Sequence, residues 1–456
     1  MKLAILGGGG FRVPLVYAAV LGQRVARGIR EVALHDTDVT RLGAIGHVLA
    51  EQAQRHTAGS GEPAPARVTT TTSLDSALEG ADFVFSAIRV GGLEGRVVDE
   101  RLALGLGLLG QETTGAGGVG YGLRTVPVAL AVAERVALLA PDAWVINFTN
   151  PAGLVTQAMQ TVLGERVVGI CDSPLGLAKR AAGALGLSLG DVVIDYAGVN
   201  HLGWLHGLSA GGRNVLPELL ADRHRLEGFE EGHLFGAEWL QSIGAIPNEY
   251  LWYYDFTRDA IARIRESAQT RGEFLLGQQS DFYAAVEAAP ARALEIWDAV
   301  RRERNATYMA ETRAGGDGDD GPERTEADIE GGGYEGVALA LMGAIARDDP
   351  ATLILNVRNR GTVPGLPDDA VVEVPCLVTA AGPVTLPVSP LRGRELGLVQ
   401  QVKAVDELVV RACREGSAAV AVQALASHPL VDSVSVAREL WSGYRERLAP
   451  FYAGFR

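Results

Sequence analysis

The sequence predicts an α/β protein: a doubly wound parallel sheet over residues 1–197, followed by a mostly helical α+β domain over residues 198–456. Three observations carry this expectation. Short β-branched runs alternate with helical periods through the first 200 residues, as in a parallel sheet covered by crossover helices. The first of these runs passes straight into a glycine turn and a helix, "LAILGGGGFRVP". Beyond residue 200 the apolar spacing becomes mainly helical.

Element by element, "KLAIL" (2–6), "EVALH" (31–35), "DFVFSA" (82–87), "AWVIN" (143–147) and "RVVGI" (166–170) read as strands. Helical periods lie between them near 13–27, 38–55, 120–140 and 152–163. In the second half, 215–245, 275–313, 334–347 and 395–447 have helical spacing. Two β-like runs, "ATLILNVRN" (351–359) and "AVVEVPCLV" (370–378), predict a small sheet there. "GSGEPAPA" (59–66) and the acidic, glycine-rich stretch 313–333 read as surface loops.

With 456 residues the chain is long enough for two packed lobes. No apolar run approaches the roughly 18 residues of a membrane span. The N-terminus lacks a cleavage site and reads as a first strand, not a signal peptide. Cys171, Cys376 and Cys413 are odd in number and far apart, which fits a reducing, cytoplasmic setting. A net charge of −14 without a basic cluster argues against nucleic acid or an anionic membrane as partner. Any anionic substrate must be held by a few local arginines.

Four motifs could carry chemistry. The first is Gly7, Gly8, Gly9 and Gly10 between strand and helix, with Asp36 closing the second strand. A backbone turn at a helix N-terminus suits a pyrophosphate, and an acid there suits the ribose hydroxyls of NAD. The bland alternative is a glycine turn with no ligand. The second is Cys171–Asp172, where an apolar strand ends, together with His201 in "GVNHLGW". Thiolate and imidazole are metal donors, but their spacing fits no compact zinc motif. A buried thiol and a hydrogen-bonded core histidine are the ordinary readings. The third is "INFTNPAG" with "GQETTGAGG", which place Asn150 and Glu112 where polar groups meet ligands or make turns. The fourth is Tyr250 in "IPNEYLWYYDF", either core packing or a base whose pKa a cation has lowered from about 10.

Taken in order along nearly the whole chain, these stretches resemble the NAD- and divalent-metal-dependent glycoside hydrolases of family 4. The likeness also runs through "IRVGGLEGRVVDERLALGLGLLGQETTGAGG", "NVRNRGTVPGLPDDAVVEVPC" and "ALASHPLV". The resemblance implies a Rossmann-type first domain of the lactate/malate dehydrogenase kind, a second domain for substrate, metal and oligomer contacts, and a homodimer or homotetramer. It implies Cys171 and His201 as ligands of a metal, commonly Mn²⁺, with Glu112 in support and Asn150 on substrate hydroxyls. NAD takes a hydride from the sugar, Tyr250 removes the C2 proton, Asp172 assists the leaving group, and the hydride returns after water adds. This is a known exception to two-carboxylate glycoside hydrolysis. Arg89, Arg96 and Arg271 are the arginines expected at a 6-phosphate. Cys171-Asp172-Ser173-Pro174 has the aspartate of the phospho-α-glucosidases, whereas the rest of the chain is more like the phospho-β-glucosidases. Phe11–Arg12 stands where the family has small hydroxyl residues. A 6-phospho-β-glucoside is the expected substrate, an α- or unphosphorylated glycoside the alternative. A hydroxy-acid dehydrogenase is the rival outside the class.

Overall fold

The computed structural model describes residues 1–22, 28–58, 64–308 and 333–456. Its strands are β1 (Lys2–Leu6), β2 (Glu31–His35), β3 (Arg67–Thr71), β4 (Phe83–Ser86), β5 (Trp144–Asn147) and β6 (Val167–Gly169), then β7 (Val193–Val199), β8 (Leu202–Ala210), β9 (Arg213–Asn214), β10 (Ile246–Pro247), β11 (Ala351–Arg358), β12 (Val371–Thr379) and β13 (Gly382–Thr385). The first six run parallel in the order β3-β2-β1-β4-β5-β6. This is the Rossmann order, with its switch point between β1 and β4.

Strand β1 shows why the sheet is covered on both faces. Leu3 and Ile5 pack with Val13, Val16, Ile45, Val48 and, from the second half, Phe282 and Val337. Ala4 and Leu6, pointing the other way, pack with Val132, Ala133, Val136 and Val155. Alternate side chains enter opposite cores, so the run is apolar throughout. Helices Val13–Gly22 and Val39–Ala58 therefore cover one face, and Ala116–Leu139 and Ala152–Leu163 the other. The outer side of Ala116–Leu139 is buried in turn by the C-terminal helices. Tyr444 Oη donates to the Ala116 carbonyl at 2.9 Å and Tyr452 Oη to that of Gly120 at 2.9 Å.

The second-half sheet differs from the expectation in extent and position. It continues the parallel sheet edge to edge: β11 pairs antiparallel with β6, and β12, β7, β8 and β10 follow. Strand β8, just beyond residue 200 where the spacing predicts mainly helices, forms a hairpin with β7. Gly198 and Gly203 are register partners in it, and a Cβ on Gly198 would come within 2.3 Å of Gly203 Cα, so glycine permits the close approach of the two strands. The period expected over 215–245 is broken into Leu216–Ala221, Arg223–Leu226, Glu230–Phe235 and Ala237–Ile243. Helices Ala152–Leu163 and Tyr334–Arg347 match their expected ranges. The expected acidic loop lies outside the described residues except at Gly333, as do parts of 13–27, 59–66 and 275–313. No helix among the described residues is long and apolar enough to cross a membrane.

Candidate active site

The carboxyl ends of β1, β4, β5 and β6 share one edge of the sheet, where open α/β folds bind ligands. Gly7 leaves β1 at φ +81°, and a Cβ there would lie 2.6 Å from the Ala87 carbonyl oxygen, so only glycine lets the ends of β1 and β4 approach. Gly7 N and Gly8 N donate to His35 O at 2.9 and 2.7 Å, and Gly10 N to Gly7 O at 2.9 Å. Gly9 N donates to Asp36 Oδ2 at 3.0 Å, so Asp36 braces the turn. Gly7 and Gly10 line a cavity of about 560 Å³, whereas Gly8, Gly9 and Asp36 do not. The amides of Phe11 and Arg12 donate to no group among the described residues, which leaves them for an anion. Second-half side chains pin the loop's carbonyls: Tyr283 Oη to Gly9 O (2.6 Å), Trp297 Nε1 to Phe11 O (2.8 Å) and Tyr334 Oη to Arg12 O (2.9 Å).

The same cavity receives Arg89, Arg96, Glu112, Asn150, Cys171, Asp172, His201, Tyr250 and Arg271. The two asparagines after β5 divide their work. Asn147 Nδ2 donates to Thr149 O, Ala152 O and Thr156 Oγ1 at 3.2, 3.3 and 3.1 Å, and so builds the turn. Asn150 Oδ1 is buried with no partner among the described residues, an acceptor waiting for a donor. Asp172 is the N-cap of Ser173–Ala184, yet its side chain makes no capping bond. His201 is the second residue of the two-residue β7–β8 turn, at φ +63°, a conformation histidine adopts more readily than most residues. Its Nδ1 meets Thr113 Oγ1 at 2.9 Å. Thr113 Oγ1 also lies 3.3 Å from Gln111 Oε1, and in the tautomer in which it donates there it accepts from His201 Nδ1–H and Nε2 carries the lone pair. Tyr250 stacks on the His201 ring, centroids 3.7 Å apart and planes at 2°, and its hydroxyl meets that of Tyr308 at 3.3 Å.

Charges in the cavity are strongly coupled. Arg89 and Arg96 both bind Glu112, the latter at 2.6 Å, and although burial opposes it they hold Glu112 down at about 2. Arg96 Nε also donates to Glu100 Oε1 at 2.7 Å. Arg271 closes the carboxyl end of helix Ala293–Ala306 through Arg304 O and Thr307 O, both at 3.0 Å. Burial lowers His201 to about 4, so it is neutral at pH 7, as a metal ligand must be. Burial, Glu373 and Asp172 raise the Cys171 thiol. No group of three or more His, Cys, Asp and Glu among the described residues could enclose a cation. Cys171 and His201 line the same cavity and are, by residue type, a sulfur and a nitrogen donor.

Some residues of the site were not foreseen: Thr113, Glu249, Tyr308, Arg304 and Glu373. Glu249 lines the cavity, accepts from Ser173 Oγ at 2.5 Å and is raised by burial to about 7. Glu373 was the most legible of them, a charge in the apolar run "AVVEVPC". It accepts from Asn356 Nδ2 (2.8 Å), Asn200 Nδ2 (3.2 Å) and Tyr196 Oη (3.3 Å), and burial still raises it to about 7. An acid held protonated by the fold binds more protons than the unfolded chain between its unfolded and folded pKa values. Its stabilising contribution is complete below about pH 4.5 and is lost as pH rises through 7. Glu373→Gln is expected to lessen the fall in stability over that interval by about 3 kcal/mol at most. Urea midpoints of the metal-free protein against pH would measure it; an unchanged fall would place the proton elsewhere.

Two family models, "Family 4 glycosyl hydrolase" and "Family 4 glycosyl hydrolase C-terminal domain", match residues 2–187 and 196–431. The chain belongs to glycosyl hydrolase family 4. It is 31% identical to a probable 6-phospho-β-glucosidase of Bacillus subtilis (strain 168), over 96% of this chain and 94% of that one. It is 29% identical to a phospho-α-glucosidase of Clostridium acetobutylicum, over 96% of each. A solved structure, the 6-phospho-β-glucosidase of Thermotoga maritima with manganese, NAD⁺ and glucose-6-phosphate, superposes with a TM-score of 0.80 at 25% identity and covers 99% of both chains. The β and α relatives differ by two percentage points in identity, so overall similarity does not choose the anomer.

Proposed function

We propose that this chain is a cytoplasmic, NAD- and Mn²⁺-dependent glycosidase that hydrolyses 6-phosphoglucosides. The β-glucoside is the first substrate, the α-glucoside the second, and the working form a homodimer or homotetramer. One observation carries the reading: a single cavity joins the end of the glycine turn to Cys171, His201, Tyr250 and the unpartnered Asn150 amide. The assembly recorded for the Thermotoga maritima enzyme, with manganese, NAD⁺ and glucose-6-phosphate, supports it.

When bound, NAD supplies a hydride acceptor and the divalent metal a Lewis acid beside the sugar oxygens. The chain's own residues do the rest. The turn after β1 receives the dinucleotide, with Asp36 holding Gly9 in place. Asn150 Oδ1 accepts from a sugar hydroxyl. Tyr250 takes the C2 proton, and its stacking on His201 puts the phenol beside a residue that would hold the cation, whose charge would favour the phenolate. Asp172, with no helix-capping bond to make, protonates the departing glycosidic oxygen. Thr113 orients His201 through Nδ1. Thr113→Val is expected to weaken Mn²⁺ binding about 10–100-fold, and Thr113→Ser to restore most of it. Free Mn²⁺ measured by electron paramagnetic resonance would show this, and equal affinities in all three proteins would remove the hydroxyl from the role.

The function is tested with reduced protein, NAD⁺, Mn²⁺ and 4-nitrophenyl β- and α-glucosides, with and without a 6-phosphate. Nitrophenol release from a phosphorylated glucoside, without net NADH, is the expected result. Steady NADH formation without nitrophenol would identify a dehydrogenase instead. Turnover of unphosphorylated glucosides alone would keep the chemistry and discard the phosphate.

A further inference from the structure

Among the described residues the cavity is lined by more cationic side chains than carboxylates. Arg89 and Arg96 are bound to Glu112, Arg96 also to Glu100, and Arg271 to the carboxyl end of a helix. Arg12 and Arg304 also line the cavity, and neither guanidinium makes a hydrogen bond or ion pair among the described residues. Arg304 Nη1 is sealed from solvent without a partner. Its guanidinium lies over the Phe11 ring, 5.6 Å from the centroid, close to the turn that follows the glycines. Burial and the like charges of Arg12, Arg271, Arg89 and Arg96 all disfavour its protonated form. Arg12 lies against the rings of Phe148 and Tyr334, at 5.7 and 5.4 Å, with its carbonyl fixed by Tyr334 Oη. Both cations thus lie against aromatic faces, and among the described residues no carboxylate is bonded to either, although Asp172 and Glu335 lie within the field of Arg12. A buried cation with no bonded anion is costly unless a ligand brings the counter-charge.

We propose that Arg304 and Arg12 together receive a phosphate group, Arg304 from helix Ala293–Ala306 and Arg12 from the turn after the glycines. This assignment rests on the phosphoglucosidase reading and changes which residues carry the phosphate within it. Guanidinium forks match phosphate oxygens in pairs, and these two forks are unspent, whereas Arg89 and Arg96 must first give up Glu112. The phosphate has two possible sources, the sugar's 6-phosphate and the dinucleotide's pyrophosphate. Arg12 lies within the field of Asp172 and Tyr250, on the substrate side, which favours the sugar.

The test compares wild type with Arg304→Gln, Arg304→Lys and Arg12→Gln. Calorimetry of the metal-loaded proteins measures affinity for glucose 6-phosphate, NAD⁺ and inorganic phosphate, and thermal melts are recorded with and without phosphate. Arg304→Gln is expected to lose about 10–100-fold in glucose 6-phosphate affinity while NAD⁺ affinity holds. Arg304→Lys should recover part of the loss, since the charge returns without the fork. In phosphate-free buffer Arg304→Gln should melt about 2 °C above wild type, because a repelled cation is gone, and should lose the stabilisation phosphate gives wild type. Loss of NAD⁺ affinity instead would keep the pair as a phosphate site and assign it to the pyrophosphate. A lower melting temperature with every affinity unchanged would overturn the proposal and make Arg304 a structural residue. Should wild type fail to bind glucose 6-phosphate yet cleave unphosphorylated glucosides, the phosphoglucosidase reading falls. The NAD⁺ and inorganic-phosphate arms would then still decide the pair.

Discussion

Cys171→Ser is expected to lower the rate of phosphoglucoside hydrolysis at least about 10³-fold, to strip the protein of Mn²⁺ at micromolar concentrations, and to leave the fold intact. A Lewis acid beside the sugar is worth several kcal/mol, and about 4 kcal/mol is three decades of rate. The fold should survive because the thiol supports little of it: it lies 4.0 Å from Asp172 Oδ1 and accepts from the Ser173 backbone N–H. Serine is nearly the same size, and its hydroxyl can take the same place. It differs in lacking an ionisable sulfur, and among the described residues no cluster of further donors could replace it. Initial rates, metal content after dialysis and a thermal melt together decide the matter. A serine variant that is metal-free and fully active would remove Cys171 from the chemistry, whatever the family pattern implies. An unfolded variant would show instead that the buried thiol serves packing.

Much of this architecture could be read from residue types because the local signals agree with the fold. "KLAIL" is apolar at every position but the first, and it fills both cores of a doubly covered sheet. Glycines at 7–10 can only be a tight turn, and the structure uses Gly7 at positive φ where the ends of two strands meet. Signals failed where a residue's usual meaning was reversed. Strand β3, "RVTTT", is polar and half-exposed along its length, so no apolar pattern announced it. Gly198 and Gly203, which interrupt the apolar pattern, face each other in the ladder and let β7 and β8 approach closely. In the site, Cys171, His201, Tyr250 and Asn150 lie far apart in sequence, and only their family pattern united them. Arg304 sits in "RRERNATY", where a buried guanidinium looks the same as its solvated neighbours. Its meaning comes from the packing of its helix against the glycine turn, a long-range fact with no local trace.

Tyr250→Phe is expected to cut kcat about 10²–10⁴-fold while KM changes little. Proton abstraction at C2 needs a phenolate, and the fold alone works against one: burial and Glu249 both push the Tyr250 phenol up. The hydroxyl of Tyr308, 3.3 Å away, offsets this only in part. As the proposed base, Tyr250 is expected to ionise at neutral pH only when positive charge arrives next to His201, on which it is stacked. Two consequences separate a catalytic phenol from an aromatic packed in a core. In deuterated water the wild-type protein should exchange the C2 hydrogen of its product with solvent, and Tyr250→Phe should lose that exchange in proportion to kcat. Without added metal the residual wild-type rate should climb with pH beyond neutrality, because the phenol ionises late, and Mn²⁺ should bring that limb down in pH. Phenylalanine keeps the ring and the stacking on His201, so glucose 6-phosphate and Mn²⁺ affinities should stay within about twofold of wild type. If Tyr250→Phe still exchanges the C2 hydrogen at the wild-type rate, another group is the base. Tyr308, joined to the same hydroxyl, is the next residue to replace.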